Sequence, residues 1–590
     1  MGRPQPFVSD FLETFSSLDI GVDGATYIIA EDYYIFGEIT VPEGVTLKFV
    51  RGGMLHLHRS TSKVMINGTL EAGPFQIFNV TSGIGVYFGP ASVHQVFPEW
   101  WGVSCSPNSD DQPAFQQAVD SGAKEVKVLP RHYYFSRPLK ITHNSTRLIG
   151  SGMVSGTVIE ANEGFSGAGY DASSIIILDD GVDYVEIGHL GLVAGTSTAQ
   201  AYSDYGVYAK GDKGSSHQEI HIHHLHVMRM REWGMAISCH LSTFEHIRIG
   251  ISNGILVGEH IDDVSTVGTT ITLNNCYVVQ NAQSDGKKAY SIDTVSGFTA
   301  LGCAADHCDV VWEIDNSIGQ IVGSYGEHNR QILSQDGVSS NISMDGCEWY
   351  NIGDDNSAIN PVESIFFYYG RLSLRNTTVS LNEAGQGDAY NYFFKETAST
   401  EQLTLESLRV RLIGGGYVDP INDKVNTPSS LSAKAVHLHS ERDPSALLTL
   451  ELDQSIDTSN PTKMAFGQEV YDLQGNADTT EGEFDIVNSC RGIYEFEAQV
   501  TLADVAADTA GVIRIYQEES GNPDILIGQA TVTTATSADM VLHLRVTHKA
   551  GANRSYYVEV EHSHGSSRDA KAGEAYTYFR MRRIAPYVGM

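Results

Sequence analysis

The chain has 590 residues, with 38 Lys and Arg against 72 Asp and Glu, for a formal net charge of −34. That acidity excludes a nucleic-acid backbone binder, which needs clustered Lys and Arg, but is compatible with a neutral polysaccharide. A hydrophobic fraction of 41% and a charged fraction of 19% exclude a disordered chain and a coiled coil.

The start, MGRPQPFVSDFLETF, has no apolar signal core, so no secretory signal peptide is expected. No apolar run reaches the roughly 18 residues of a membrane helix, so no membrane insertion is expected. Residues 1–95 hold short strand-like runs at Tyr27–Ala30, Val45–Val50, Met54–His58, Val64–Ile66 and Phe75–Phe78. Gly44, Gly52, Gly68 and Gly73 punctuate them. Strands this short, joined by tight turns, suit a coil of sheet better than a sandwich.

One helix follows. Ser109 is the expected cap, with Gln112 completing a capping box and Asp110 and Asp111 in the first turn. Pro113 is early enough to be tolerated. Ala114, Phe115, Ala118 and Val119 form one apolar face, and Gly122 ends the helix. Trp100-Trp101, just before it, reads as a packing anchor. Short strands come next at Val126–Leu129, Tyr134-Phe135, Leu139–Ile141 and Leu148-Ile149.

From about 180 to 415 the chain repeats. Phe298-Thr-Ala-Leu-Gly-Cys303, Gly319-Gln-Ile-Val-Gly-Ser324 and Asn341-Ile-Ser-Met-Asp-Gly346 align at offsets of 21 and 22 residues. Ile247–Gly250 and Ile271–Cys276 read as earlier copies. A second strand recurs as Tyr290–Asp293, Trp312–Asp315 and Leu333–Asp336, whose aspartates mark a turn. No unit of about 22 residues can bury its apolar side alone, whereas stacked units can. The expected fold is all-β: a parallel β-helix over 96–415, preceded by a β-rich region over 1–95. A turn-rich connector is expected over 416–465. Residues 466–590 alternate strictly, with Tyr494, Phe496, Ala498 and Val500 on one face. Leu542, Leu544 and Val546 share another face, as do Tyr556, Val558 and Val560, and Ser520–Pro523 reads as a turn. That pattern predicts an antiparallel β-sandwich.

The seven cysteines (105, 239, 276, 303, 308, 347 and 490) are odd in number and scattered, so no disulfide framework is expected. Cys303, His307 and Cys308 lack a second pair at ligand spacing, so small buried thiols are expected there rather than a metal.

Pro98-Glu99-Trp100-Trp101-Gly102, then Asp110 to Val119, Val128-Leu129-Pro130 and Leu148-Ile149-Gly150-Ser-Gly152 together resemble the N-terminal module of pectate-lyase-like proteins. The form is that of bacteriophage tailspikes and depolymerases. The Gly-Asp-Gly common before the Asp pair is replaced here by Ser106-Pro107-Asn108-Ser109. Gly492–Phe496, Tyr556–Val560 and Tyr578–Met581 resemble the jelly-roll caps of phage fibres, similar to tumour-necrosis-factor-like heads. The resemblance implies a right-handed β-helix with a C-terminal jelly roll, assembled as a homotrimer on the virion beside baseplate or other tail proteins. It implies binding, and usually cleavage, of bacterial capsular polysaccharide or O-antigen, with no cofactor and no metal.

Glycoside hydrolysis needs two carboxyl groups. On a β-helix they come from neighbouring coils, about 4.8 Å apart. Asp306 and Glu327, 21 residues apart, are the expected catalytic pair, with Glu313 and Glu348 as further candidates. His307, His328, Trp312, Tyr325, Arg330, Trp349 and Tyr350 are the expected substrate-binding residues. In an alternative lyase, Tyr325, His328 and Arg330 would serve as base or charge neutraliser. A non-enzymatic receptor-binding fibre is the other alternative. A second cluster, His217, His221, His223, His224 and His226 with Arg229, Arg231, Glu232 and Trp233, reads as a polar outer face. Its spacing also suits a metal or an acidic sugar.

Overall fold

The computed structural model describes residues 22–81, 85–170, 172–196, 200–210, 217–258, 268–280, 286–336, 340–352, 362–368, 370–382, 390–396, 402–413, 431–434, 437–440, 445–458, 460–472, 477–486, 492–518, 523–550, 554–573 and 575–586. The N-terminal start, most of the connector between 416 and 430, Cys490 and the turn residues Ser520–Asn522 lie outside them. Two compact units divide the chain, the first comprising 1–359 with 366–373 and 396–403.

The first unit is a parallel β-helix from its first described strands. Thr26–Ile29, Thr46–Phe49 and Thr69–Glu71 form one three-stranded parallel sheet, and two further sheets of three strands complete three coils by Phe88. Phe75 falls outside these strands, because its run begins only at Phe78. The helix is Gln112–Asp120, starting later than the sequence pattern implies. Ser109 closes a preceding turn onto the Ser106 carbonyl, and Asp111 is the N-cap residue. The Asp111 carboxylate is drawn away from the helix by backbone N–H groups of Ser104, Cys105 and Tyr134. Ala114, Phe115, Ala118 and Val119 are buried, and Gly122 turns with φ +77°. Trp100 and Trp101 are buried against Phe78 and Phe88, and the Trp100 indole N–H donates to the Gly73 carbonyl.

Beyond the helix, each coil adds two strands, or one longer strand as at Glu186–Val193 and His221–Met228, to one long parallel sheet, and most add one strand to a ten-stranded parallel sheet. Single left-handed residues bend the chain between the paired strands: His189, His224, His246, Asn275, Gly302, Gly323 and Gly346 recur at one corner, all with positive φ. Gly and Asn suit that conformation because it crowds Cβ. Gly319 lies opposite Ile342, not Asn341, so the second repeat offset is 23 residues rather than 22. Arg248–Gly250 pairs with Tyr277–Val279, so it is no copy of the strand at Ile271. Tyr290, Trp312 and Leu333 do stack in register, and Asp293, Asp315 and Asp336 end their strands together.

That column lies inside the coil: Ile255, Tyr290, Trp312, Leu333 and Phe366 are all fully buried. The six described cysteines are free, and all but Cys105 are buried. Glu99 is also buried, and its carboxylate accepts the Tyr133 hydroxyl at 2.5 Å. Burial, only partly offset by that hydrogen bond, raises its pKa above the ordinary carboxylate value. A raised pKa means that the folded state holds the proton more tightly than the unfolded one. The corresponding stability is present at low pH and lost as pH rises through the folded value. The denaturant midpoint should therefore fall less with rising pH in Glu99→Gln than in the wild type. Identical pH slopes would remove Glu99 as the cause.

In the second unit the strands become antiparallel from Ser445–Thr449 onward, within the stretch read as connector. A seven-stranded and a six-stranded sheet enclose one core. Tyr494, Phe496, Ala498, Val500, Leu542, Leu544, Tyr556, Val558 and Val560 are buried in it, as their alternation requires. Val546 is only partly buried.

Candidate functional site

Ala304–Asp306, Tyr325–Glu327 and Glu348–Ile352 are successive parallel strands, each entered through the glycine corner. Their residues alternate between the core and the outer face. Asp306 lies opposite Glu327, and Glu327 opposite Tyr350. Ala304 lies opposite Tyr325, and Tyr325 opposite Glu348. The outer face thus carries two adjoining columns. One contains Asp306, Glu327 and Tyr350; the other contains Tyr277, Ala304, Tyr325 and Glu348. Tyr325 and Tyr350 are exposed by 39% and 43%, enough for a ring to meet a sugar.

The carboxylates are held on both sides. Tyr325 donates its hydroxyl to Glu327 Oε2 at 2.5 Å. Partial burial, then that hydrogen bond, push the Tyr325 phenol above its ordinary pKa. Asp306 Oδ1 lies 2.6 Å from His307 Nδ1 and 3.5 Å from His328 Nδ1. His307 and His328 occupy a second left-handed corner, with φ +57° and +52°, and their rings stack at 4.7 Å. Their backbone N–H groups bond to the Glu327 and Tyr350 carbonyls, which holds the backbone of this corner beside the carboxylate column.

Four expected residues stand elsewhere. Trp349 is fully buried, because it faces inward opposite Gly326. Ala305 and Gly326, the small residues of that inner column, leave room for the indole. Trp312 is also fully buried, stacked on Tyr290 at 4.3 Å. Neither indole can serve as a sugar platform. Arg330 is buried and ion-paired with Asp309. Glu313 lies on the other long sheet, where Lys288 Nζ contacts it at 2.6 Å and the Ser291 hydroxyl donates to it at 3.0 Å. Glu348 stays on the outer face, but beside Tyr325 rather than in the Asp306 column.

Two residues of this face were not found from the sequence. Tyr277 is in register with Ala304, and its phenol is raised first by burial and then by the charge of Asp306. Arg248, one coil earlier, sits over the Tyr277 ring at 5.7 Å. A longer connection between Tyr277 and Ala304 hides their alignment, but the Asn275-Cys276 and Gly302-Cys303 pairs carry it.

Replacing Tyr325 by Phe removes the hydroxyl that orients Glu327 while keeping the ring. If this face cleaves a polysaccharide, turnover should fall about 10-fold with KM little changed, the scale of a hydrogen bond to a charged group. A rise in KM at constant turnover would assign Tyr325 to binding alone.

A cavity of about 410 Å³ lies beside the helix, lined by Trp101, Gln112, Gln116, Asp120, Arg137 and Lys140 among others. It shares no residue with the outer-face columns.

No protein-family model and no curated protein matches the chain. Among solved structures it is similar to the gp42 tailspike of Acinetobacter phage vb_AbaP_AS12, at 13% identity and TM-score 0.44, over 78% of this chain and 81% of the other. It is similar to the lidless DFA-IIIase of Arthrobacter chlorophenolicus A6, at 10% identity and TM-score 0.44, over 58% and 99%. It is also similar to Eiger TNF of S. frugiperda, at 9% identity and TM-score 0.21, over 25% and 96%.

Proposed function

We propose that the chain is a phage tailspike that binds bacterial capsular polysaccharide or O-antigen and cleaves it by endoglycosidic hydrolysis. The observation that carries this reading is the in-register pair Asp306 and Glu327 on the outer face, flanked by Tyr277, Tyr325 and Tyr350. One carboxyl protonates the glycosidic oxygen; the other attacks the anomeric carbon or activates water. In-register neighbours on parallel strands stand about 4.8 Å apart at the backbone, which brings both carboxyl groups within reach of one glycosidic bond. Tyr325 and Tyr350 offer rings to pyranose faces, and His307 and His328 offer hydrogen bonds beside Asp306.

The lyase reading loses support at two of its residues. Arg330 is taken up by Asp309, and the Tyr325 phenol is shifted away from the deprotonated form a base needs. The test is digestion of polysaccharides from candidate host strains. New reducing ends without ultraviolet absorbance from an unsaturated uronate support hydrolysis. That absorbance would establish the lyase, and binding with no cleavage of the true host polysaccharide would establish a receptor-binding fibre.

A homotrimer on the virion is part of the same proposal. Tyr494 and Phe496 cannot be its contacts, since both are spent in the sandwich core. Light scattering should give three times the chain mass, and a monomer at micromolar concentration would refute the trimer.

A further inference from the structure

A second group of side chains lies some coils before the carboxylate pair. Strands Glu186–Val193 and His221–Met228 are parallel neighbours, with Glu186 opposite His221 and Gly188 opposite His223. His189 and His224 occupy the same left-handed corner in consecutive coils, and their rings stack at 4.7 Å. His223 is 7% exposed although it belongs to the outer face. Its ring lies over Gly188, where an added Cβ would come within 2.3 Å of it. Glycine at 188 is what makes room for the buried imidazole.

The nitrogens of His223 have distinct surroundings. Nε2 faces Glu186 Oε1 at 3.2 Å, and Glu186 is held in turn by Arg147 at 2.6 Å. Nδ1 faces His224 Nδ1 at 3.1 Å. A carboxylate at Nε2 selects the tautomer protonated there, which leaves the Nδ1 lone pair aimed at a second imidazole. A carboxylate behind a histidine is the usual outer support of a metal-bound imidazole. One nitrogen from each of His189, His223 and His224 lies within 4.8 Å of the others. Tetrahedral zinc, with Zn–N bonds of about 2.0–2.1 Å, needs a nitrogen separation of just over 3 Å.

We propose that His189, His223 and His224 bind a divalent transition-metal ion, with zinc the best fit, and that the ion pins the coil of Glu186–Val193 to that of His221–Met228. Glu186 is a positioning residue that orients His223. Three imidazoles favour zinc, copper or nickel over calcium or magnesium, which prefer oxygen ligands. Glu245 on His221 adds negative charge nearby, whereas the charge of Glu186 is shared with Arg147. A three-histidine site leaves a fourth position for water or another ligand. Asp306, His307 and His328 also converge, but they belong to the outer-face site described above.

The test uses tag-free, full-length protein stripped with a chelator, dialysed and titrated with zinc chloride. Elemental analysis should give one zinc per chain, X-ray absorption should show nitrogen ligands, and zinc should raise the thermal midpoint. His189→Ala and His224→Ala, both at partly exposed positions, should weaken binding at least about 100-fold while circular dichroism shows a folded chain. Glu186→Gln should weaken it by about 10- to 100-fold, the range for lost outer support. The double variant His307→Ala/His328→Ala should bind zinc as the wild type does. Absence of zinc binding by the wild type would overturn the proposal. So would wild-type affinity in a folded His189→Ala/His224→Ala double variant, or loss confined to His307→Ala/His328→Ala.

Discussion

Glu327→Gln should keep polysaccharide binding and assembly while depolymerisation falls at least about 100-fold. The substitution preserves shape and removes the carboxyl needed for proton transfer or attack. Glutamine still accepts the Tyr325 hydroxyl, so the local hydrogen bond at 2.5 Å has a surviving acceptor. Asp306→Asn should have an equally large effect, because the partner carboxyl alone cannot complete both halves of the reaction. The double variant should be little slower than either single one, as expected of groups that act as a unit. Reducing-end release on the true host polysaccharide is the assay, with binding measured in parallel. Near-wild-type turnover in both single variants would discard the pair and leave Glu348, on the same face, as the next carboxylate to replace.

Trp312→Ala should cost about 3–5 kcal/mol, the range for removing a buried aromatic side chain. The indole is fully buried and stacked on Tyr290 at 4.3 Å. Tyr290 is tied in turn to the Cys276 and Ala304 carbonyls, both at 2.8 Å, so the surrounding coil has little freedom to collapse into the gap. Ala304 belongs to the strand of Asp306, so activity is expected to fall with stability. Tyr350→Ala should behave in the opposite way. Its ring is 43% exposed, so stability should change by no more than about 0.5 kcal/mol while affinity for polysaccharide drops. Denaturant midpoints and binding isotherms on the two variants separate the roles. A stable Trp312→Ala protein that had lost only sugar affinity would restore that indole to the binding surface.

Much of the architecture was legible in sequence because a solenoid writes its period into the chain. Short strands near 22-residue spacing can bury their apolar sides only by stacking, and the strict alternation after 466 can be satisfied only by a two-sheeted core. The register of Tyr290, Trp312 and Leu333 followed from the same reasoning. So did the neighbourhood of Asp306 and Glu327, because a 21-residue offset separates them and no insertion intervenes. One coil later, an extra two residues move Tyr350 into the Glu327 column and set Glu348 beside Tyr325. The left-handed glycines Gly302, Gly323 and Gly346 carry that offset, but a backbone conformation is not visible in a hydrophobic pattern.

What only the tertiary structure decided is which way individual side chains point and what they meet there. Trp312 and Trp349 look like surface rings beside carboxylates, yet strand parity turns both inward. Small residues on neighbouring coils, Ala305 and Gly326, make the volume that Trp349 fills. Arg330 is spent on Asp309, a partner 21 residues away that lies on the preceding coil. His223 alternates with apolar residues as a surface histidine would, but Gly188, 35 residues earlier, opens a recess that buries it. The period of a β-helix is local information, carried by each repeat. The contents of a recess depend on residues one coil away, brought opposite by a register that one or two inserted residues can shift.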